Sequence, residues 1–239
     1  MENNQKVSVT KDKRIRIIVG HYGSGKTEFS VNYAVKLADI KKETQNEEMQ
    51  VAIADLDVIN PYFRSREKEE MLDKHGIISH SSVLRNSALD LPAISADLSV
   101  PILDENYQYV MDVGGDELGA RVLGSMHQVI EKYSYDMFMV INANREYTVE
   151  VNDVIKYIRE IEGASKLSVT GLVSNTHLLW DTSTEDILKG CELVKKVSEQ
   201  TGIPVKYVVY PSQLDISSIE NQIEYNLFSI DMIMREDWM

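Results

Sequence analysis

Apolar and polar positions along the chain alternate between two periods. Arg14-Ile-Arg-Ile-Ile-Val19 is a short β-branched run that stops at Gly20, which reads as a strand. From Thr27 to Ile40 the apolar positions Phe29, Ala34, Val35, Leu37 and Ala38 recur at helical spacing. The charged stretch Lys41 to Glu48 reads as a loop. Further strands are expected at Gln50 to Ala54, Tyr109 to Met111, Asp136 to Asn142, Leu167 to Ser174 and Val205 to Val209. Between them, Val151, Val154, Ile155, Ile158 and Ile161 mark one helix face, and Ile187, Leu188, Cys191, Val194 and Val197 mark another. That second helix is expected to open near Thr182, with Glu185 three places on as a capping box.

Strands and helices at this interval predict an α/β fold: a doubly wound, mainly parallel sheet with helices on both faces. Ligands of such sheets sit beyond the carboxyl ends of the strands. The region from Asn60 to Glu105 has no strong strand signal. Helix is expected there from about Ser65 to Lys74 and again near Ala88 to Asp97, with Ser81 to Asp90 as polar turn. The 239 residues suit one domain spanning the whole chain, with residues 1–13 as a flexible or edge segment.

Composition narrows the function. No run of about eighteen apolar residues could span a membrane, and Met1 to Lys13 lacks a secretory core. The single cysteine, Cys191, rules out an internal disulfide or a CxxC pair and reads as a helix core residue. A cytoplasmic location follows as the expectation. The net charge of −13 disfavours non-specific nucleic-acid binding, which neutralises phosphates with Lys and Arg. Basic residues are interleaved with acids, as in Arg64 to Glu70, a solvated helix face. The apolar tail Tyr225 to Met234 has almost no basic residues, so it is expected to dock on the core or another subunit rather than on a membrane.

The segment Gly20-His21-Tyr22-Gly23-Ser24-Gly25-Lys26-Thr27 matches G-x-x-x-x-G-K-S/T. Glycines let the backbone curl until successive N–H groups converge on phosphate oxygens. The helix that follows, with Glu28 in its first turn, aims its positive end at the same charge. Lys26 would reach the β- and γ-phosphates and the Thr27 hydroxyl would ligate Mg²⁺. The strand before and the amphipathic helix after strengthen the eight-residue match.

Magnesium and an attacking water need carboxylates. Asp112 follows a strand and begins Asp112-Val-Gly-Gly115, where Asp112 could hold a metal water and Gly115 could bring its N–H to the γ-phosphate; Asp116 joins the same loop. Asp55 and Asp57 end another strand. Of these, Asp57 is assigned to the metal and to positioning the attacking water, with Asn60-Pro61 as a loop responding to the γ-phosphate.

These motifs, in this order, resemble the P-loop ATPases of the MinD/ParA/CobQ/CobB class, which includes the nitrogenase iron protein. The resemblance runs from about Ile15 to Gln222. It implies a P-loop NTPase fold, ATP and Mg²⁺ as ligands, Lys26 and Thr27 as phosphate and metal residues, Asp57 as the switch carboxylate, and Asp112 with Gly115 as a second switch. Asn175 and Tyr210-Pro211 match the places where such proteins meet the adenine base. Three departures limit it. His21 stands where MinD- and ParA-like members carry a signature lysine that acts across a dimer. The cluster-binding cysteines of the iron protein are absent. Asn175-Thr-His-Leu178 lacks the Asp that completes N-K-x-D, so ATP is expected over GTP.

The expected function is a Mg-dependent ATPase acting as a nucleotide switch for a protein partner or as a homodimer. The alternatives are an ATP-dependent ligase or kinase of cobyrinate-amidating or dethiobiotin-forming type, and a non-catalytic nucleotide sensor. Arg121 and Arg145 lie just past strand ends, open to a phosphate, a partner or a surface ion pair. His177 is expected to be exposed.

Overall fold

The computed structural model describes residues 9–57, 66–81, 96–115 and 117–234. Among these residues, eight strands form one sheet: β1 (Ile15–Val19), β2 (Gln50–Leu56), β3 (Ile77–Ser81), β4 (Tyr107–Val113), β5 (Tyr135–Ile141), β6 (Gly171–Ser174), β7 (Val205–Pro211) and β8 (Asn226–Ile230). The helices are α1 (Lys26–Thr44), α2 (Arg66–His75), α3 (Ala96–Leu103), α4 (Glu117–Ile130), α5 (Val151–Ser165) and α6 (Thr184–Thr201). The strand order is β3-β2-β4-β1-β5-β6-β7-β8, and every pairing is parallel. β1 lies between β4 and β5, where the winding reverses, and its carboxyl end is the crevice such sheets use for ligands.

β1, apolar except at Arg16 and buried along its whole length, fits burial on both faces. On one face Ile15, Ile17 and Val19 pack with Leu123 and Met126 of α4, Val154 and Ile158 of α5, and Val194 and Val197 of α6. On the other, α1 brings Phe29, Tyr33 and Leu37 against Phe138, Tyr207 and Phe228. Arg16, also on β1, is buried there. Its guanidinium donates to Gln108 Oε1 at 2.6 Å and to the carbonyls of Val9 and Asp12. Asp12 in turn accepts from the hydroxyls of Tyr33 and Tyr207 and from Lys206 Nζ. Residues 9–13, expected to form part of a flexible or edge segment, are therefore stitched under the amino-terminal edge of the sheet.

The observed elements depart from the sequence pattern at identifiable places. β3, unmarked by the pattern, has only Ile77 and Ile78 as apolar residues, and it is a sheet edge. α4 was also unmarked, although Ala120, Leu123 and Met126 repeat every third position and are buried. Residues 167–170 do not join the ladder of β6. The Leu167 and Val169 amides donate instead to Ser165 Oγ and Glu162 Oε1. α6 is capped one residue later than expected: Ser183 and Asp186 form the box, while the Thr182 hydroxyl donates to the Leu179 carbonyl. α1 runs into the expected loop, to Thr44. The tail docks on the core as β8, beside β7. The expected helix at 88–97 overlaps α3 only at its end; Asn60-Pro61, Asp116 and residues 82–95 lie outside the described residues. Among the described residues, no helix is long and apolar enough to cross a membrane.

Candidate nucleotide site

The loop between β1 and α1 is folded for close backbone approach. Gly25, at φ 80°, leads into Lys26, the first residue of α1. This left-handed conformation favours glycine, and a Cβ on Gly25 would lie 2.4 Å from Asn175 Nδ2. That amide is there because it donates to the Ser24 carbonyl at 2.8 Å. On the opposite flank, Arg145 Nε donates to the Gly23 carbonyl at 3.1 Å, and Asn142 Nδ2 reaches the same oxygen at 3.4 Å. The loop is thus held by the residues that follow β5 and β6.

Lys26 is buried, and its ammonium curls back to the His21 carbonyl at 3.3 Å. Thr27 Oγ1 donates to Asp112 Oδ2 at 2.7 Å, and Ser30, one turn on, donates to Oδ1 at 3.2 Å. Asp112 lies inside β4 rather than past its end. It pairs in register with Asp55 of β2 and with Ile18 of β1. Burial pushes the Asp112 carboxyl up to about 7 and the neighbouring Asp55 pushes it the same way, against the pull of Lys26, Thr27 and Ser30. Residues two apart on a strand share a face, so the pleat does not separate Asp55 from Asp57. Asp57 differs because it lies beyond the last residue of β2; its backbone N–H donates to Asp55 Oδ1 at 2.9 Å. Asp55 is buried, whereas Asp57 lines the cavity.

That cavity, of about 250 Å³, is lined by the loop residues Tyr22, Gly23, Gly25, Lys26, Thr27 and Glu28, and by Asp57, Arg145 and Asn175. His177, Leu179, Ile230, Met232 and Met234 complete it. His177 is buried rather than exposed, its Nδ1 beside the Leu179 amide. Gly20 and Ser24 shape the loop from behind, and the buried Ser24 Oγ has no hydrogen-bond partner. Gly115 presses on the loop: a Cβ there would come within 2.8 Å of the Gly20 carbonyl and 3.0 Å of Lys26 Nζ. Pro211 ends β7 and is not among the lining residues. The wall on that side comes from β8 and the residues after it.

His21 is not among the residues that line the cavity. Its ring stacks on Tyr147 at 4.9 Å and meets the edge of Tyr157 at 5.3 Å. The Tyr157 hydroxyl donates to the Gly115 carbonyl at 3.2 Å, which links the loop, the turn after β4 and α5. Among the described residues, no group of three or more His, Cys, Asp or Glu side chains is arranged to hold a metal. A magnesium ion here would take its ligands from phosphate oxygens, water and the Thr27 hydroxyl, as Mg²⁺ sites in phosphate chemistry do.

Sequence reasoning missed Ser30, Leu179, Ile230 and the two methionines as site residues. Ser30 was legible, because it lies three places from Thr27 on one helix face. Leu179 and the methionines carry no local signal.

A strand, a glycine turn and a helix start at the reversal of a parallel sheet define a P-loop NTPase fold. No family model matches the chain, and no curated protein matches it by sequence. Among solved structures it is similar to chloroplast FtsY from Physcomitrella patens, with a TM-score of 0.48, 17% identity and coverage of 86% of this chain and 65% of that one. It is also similar to the signal recognition particle receptor FtsY from Elizabethkingia anophelis in complex with GDP, with a TM-score of 0.42, 14% identity and coverage of 86% and 63%. The chain spans less than two thirds of the length of either.

Proposed function

We propose that this protein binds ATP with magnesium and hydrolyses it, acting as a nucleotide-dependent switch for a protein partner. The observation that carries the reading is the Thr27–Asp112 hydrogen bond at the wall of a cavity floored by the glycine loop. A hydroxyl has one proton and two lone pairs. With its proton committed to Asp112, Thr27 can turn a lone pair toward a cation. Lys26 neutralises phosphate charge once it leaves the His21 carbonyl, and the amides at the start of α1 add to it. Asp57 faces the same cavity and orients the attacking water. Magnesium, when bound, would supply positive charge at the transferred phosphoryl group.

Base choice rests on the donor and acceptor set. The fourth residue from Asn175 is Leu178 rather than Asp, and Asn175 spends an amide hydrogen on Ser24. The switch reading rests on Tyr157: its bond to Gly115 ties the turn after β4 to α5, so a shift of that turn toward phosphate would be felt on the surface.

The test is unfolding of the full chain with and without MgATP. Ligand at a hundredfold over its dissociation constant should add about 2.7 kcal/mol, Lys26→Ala should abolish the gain, and ADP release should follow the same pattern. A wild type that neither ATP nor GTP stabilises in the presence of magnesium overturns the reading.

A further inference from the structure

The turn after β5 holds one residue's backbone on both sides. The Arg145 N–H donates to the Asn142 carbonyl at 3.1 Å, and the Arg145 carbonyl accepts the Thr148 amide at 2.9 Å. Thr148 Oγ1 donates to the same Asn142 carbonyl at 2.6 Å, and Asn142 Oδ1 accepts the Asn144 amide at 2.9 Å. Asn142 and Thr148 are buried, at 0% and 2% exposure. Asn144 ties the turn to α6 by donating to Asp186 and accepting from Lys189. Arg145 thus has a fixed backbone and an exposed side chain.

That side chain lies across the glycine loop and lines the cavity. A Cβ on Gly23 would come within 2.9 Å of Nε, 3.2 Å of Cζ and 3.4 Å of Cδ. The Nε proton is taken by the Gly23 carbonyl, which leaves the terminal Nη1 and Nη2 groups to meet a ligand. Charge decides which ligand. Besides the His177 imidazole, the cationic side chains of the cavity wall are Lys26 and Arg145, and the acidic ones are Glu28 and Asp57. Glu28 is held in the wall by the amides of Ile233 and Met234, which it accepts. Without Arg145 the wall would carry more acid than base, in a chain of net charge −13, and would repel a polyphosphate. The two cations stand at different places. Lys26 Nζ lies beside Gly115, and Gly114 of the same turn lies beside Asp57, the groups assigned to the phosphoryl group that leaves. Arg145 lies on Gly23, on the flank braced by Asn142.

We propose that Arg145 is a phosphate-binding residue, whose terminal amines grip the phosphates that stay on the nucleotide after hydrolysis. The proposal rests on the nucleotide reading above and adds to it a second cation, supplied by the turn after β5. Two parallel N–H donors match two oxygens of one phosphate, a bidentate fit that an ammonium lacks. The bond from Nε to Gly23 orients the guanidinium before a ligand arrives, so less side-chain freedom is lost on binding.

Calorimetric titration of the full chain with ATP, ADP and inorganic tripolyphosphate, each with magnesium, tests this in Arg145→Ala, Arg145→Gln and Arg145→Lys. Glutamine keeps a donor for the Gly23 carbonyl but drops the charge, so it separates a ligand contact from a brace on the loop. Alanine and glutamine should each weaken ATP and ADP by the same factor, about tenfold or more, and tripolyphosphate with them. Lysine should fall between these variants and the wild type. The side chain is exposed, so the empty variants should melt within about two degrees of wild type. Wild-type affinity in Arg145→Gln reduces the guanidinium to a brace and overturns the proposal. Loss of ATP with ADP unchanged also overturns it, by moving Arg145 to the transferred phosphoryl group. A wild type that binds none of the three probes defeats the underlying nucleotide reading instead.

Discussion

Thr27 Oγ1 and Asp112 Oδ2 meet at 2.7 Å although 85 residues separate them in sequence. The bond joins the first turn of α1 to the interior of β4, and it sets a pH dependence. The Asp112 carboxyl sits at about 7 in the fold against an ordinary 3.8, so between about pH 4 and 7 the folded chain holds a proton that the unfolded chain has released. Stability of the empty protein then falls as pH rises through that window and is level above it. Asp112→Asn removes the penalty and should stabilise the empty protein at pH 8 by on the order of 2 kcal/mol, with little effect at pH 4, as measured by urea unfolding. The same substitution should lower magnesium-nucleotide affinity. A variant less stable than wild type at pH 8 contradicts this account.

Asn175 is a strut for the loop as well as part of the cavity wall. Asn175→Ala should cost about 1–3 kcal/mol without any ligand, because it strands the buried Ser24 carbonyl. It should also weaken tripolyphosphate as much as ATP. Loss confined to ATP would assign the residue to the base alone.

Asp57 faces the cavity while Asp55 is buried behind it. Asp57→Asn should slow ATP turnover about a hundredfold, the range for a displaced proton acceptor, with ATP affinity unchanged in titration calorimetry. A matching fall in affinity would move Asp57 from the water to the metal.

Asp12 joins residues 9–13 to Tyr33, Tyr207 and Lys206. Asp12→Ala should lower stability by about 3 kcal/mol, since it leaves two buried hydroxyls and the Lys206 ammonium without their acceptor. Thermal unfolding decides this; a shift of under a degree would return that segment to the role of a loose arm.

The glycine loop between β1 and α1 was readable from sequence because its residues are consecutive and its turn demands glycine. The carboxylates near the ends of β2 and β4 were readable from strand position, and Asp57 was chosen over Asp55, but what separates the two is where β2 stops rather than side-chain alternation. The strand at Ile77–Ser81 was hidden because three of its five residues are polar, as an edge tolerates. The bond from the Ile233 amide to Glu28 spans 205 residues, and nothing local in either segment announces it. His21 was marked as a departure from a motif, but its partners Tyr147 and Tyr157 come from a connection and a helix that the motif does not touch.

The parallel sheet has a consequence for fragments and for folding order. β1 has no neighbour until β4 and β5 are present, and the Val140 carbonyl of β5 is the surface against which Gly20 is fitted. Closing such distant pairs is entropically slow. A chain cut before β5 therefore carries the whole glycine motif in its sequence and still has no formed cradle, so added nucleotide cannot rescue it. Ligand rescue should begin only with fragments that extend past Asn175.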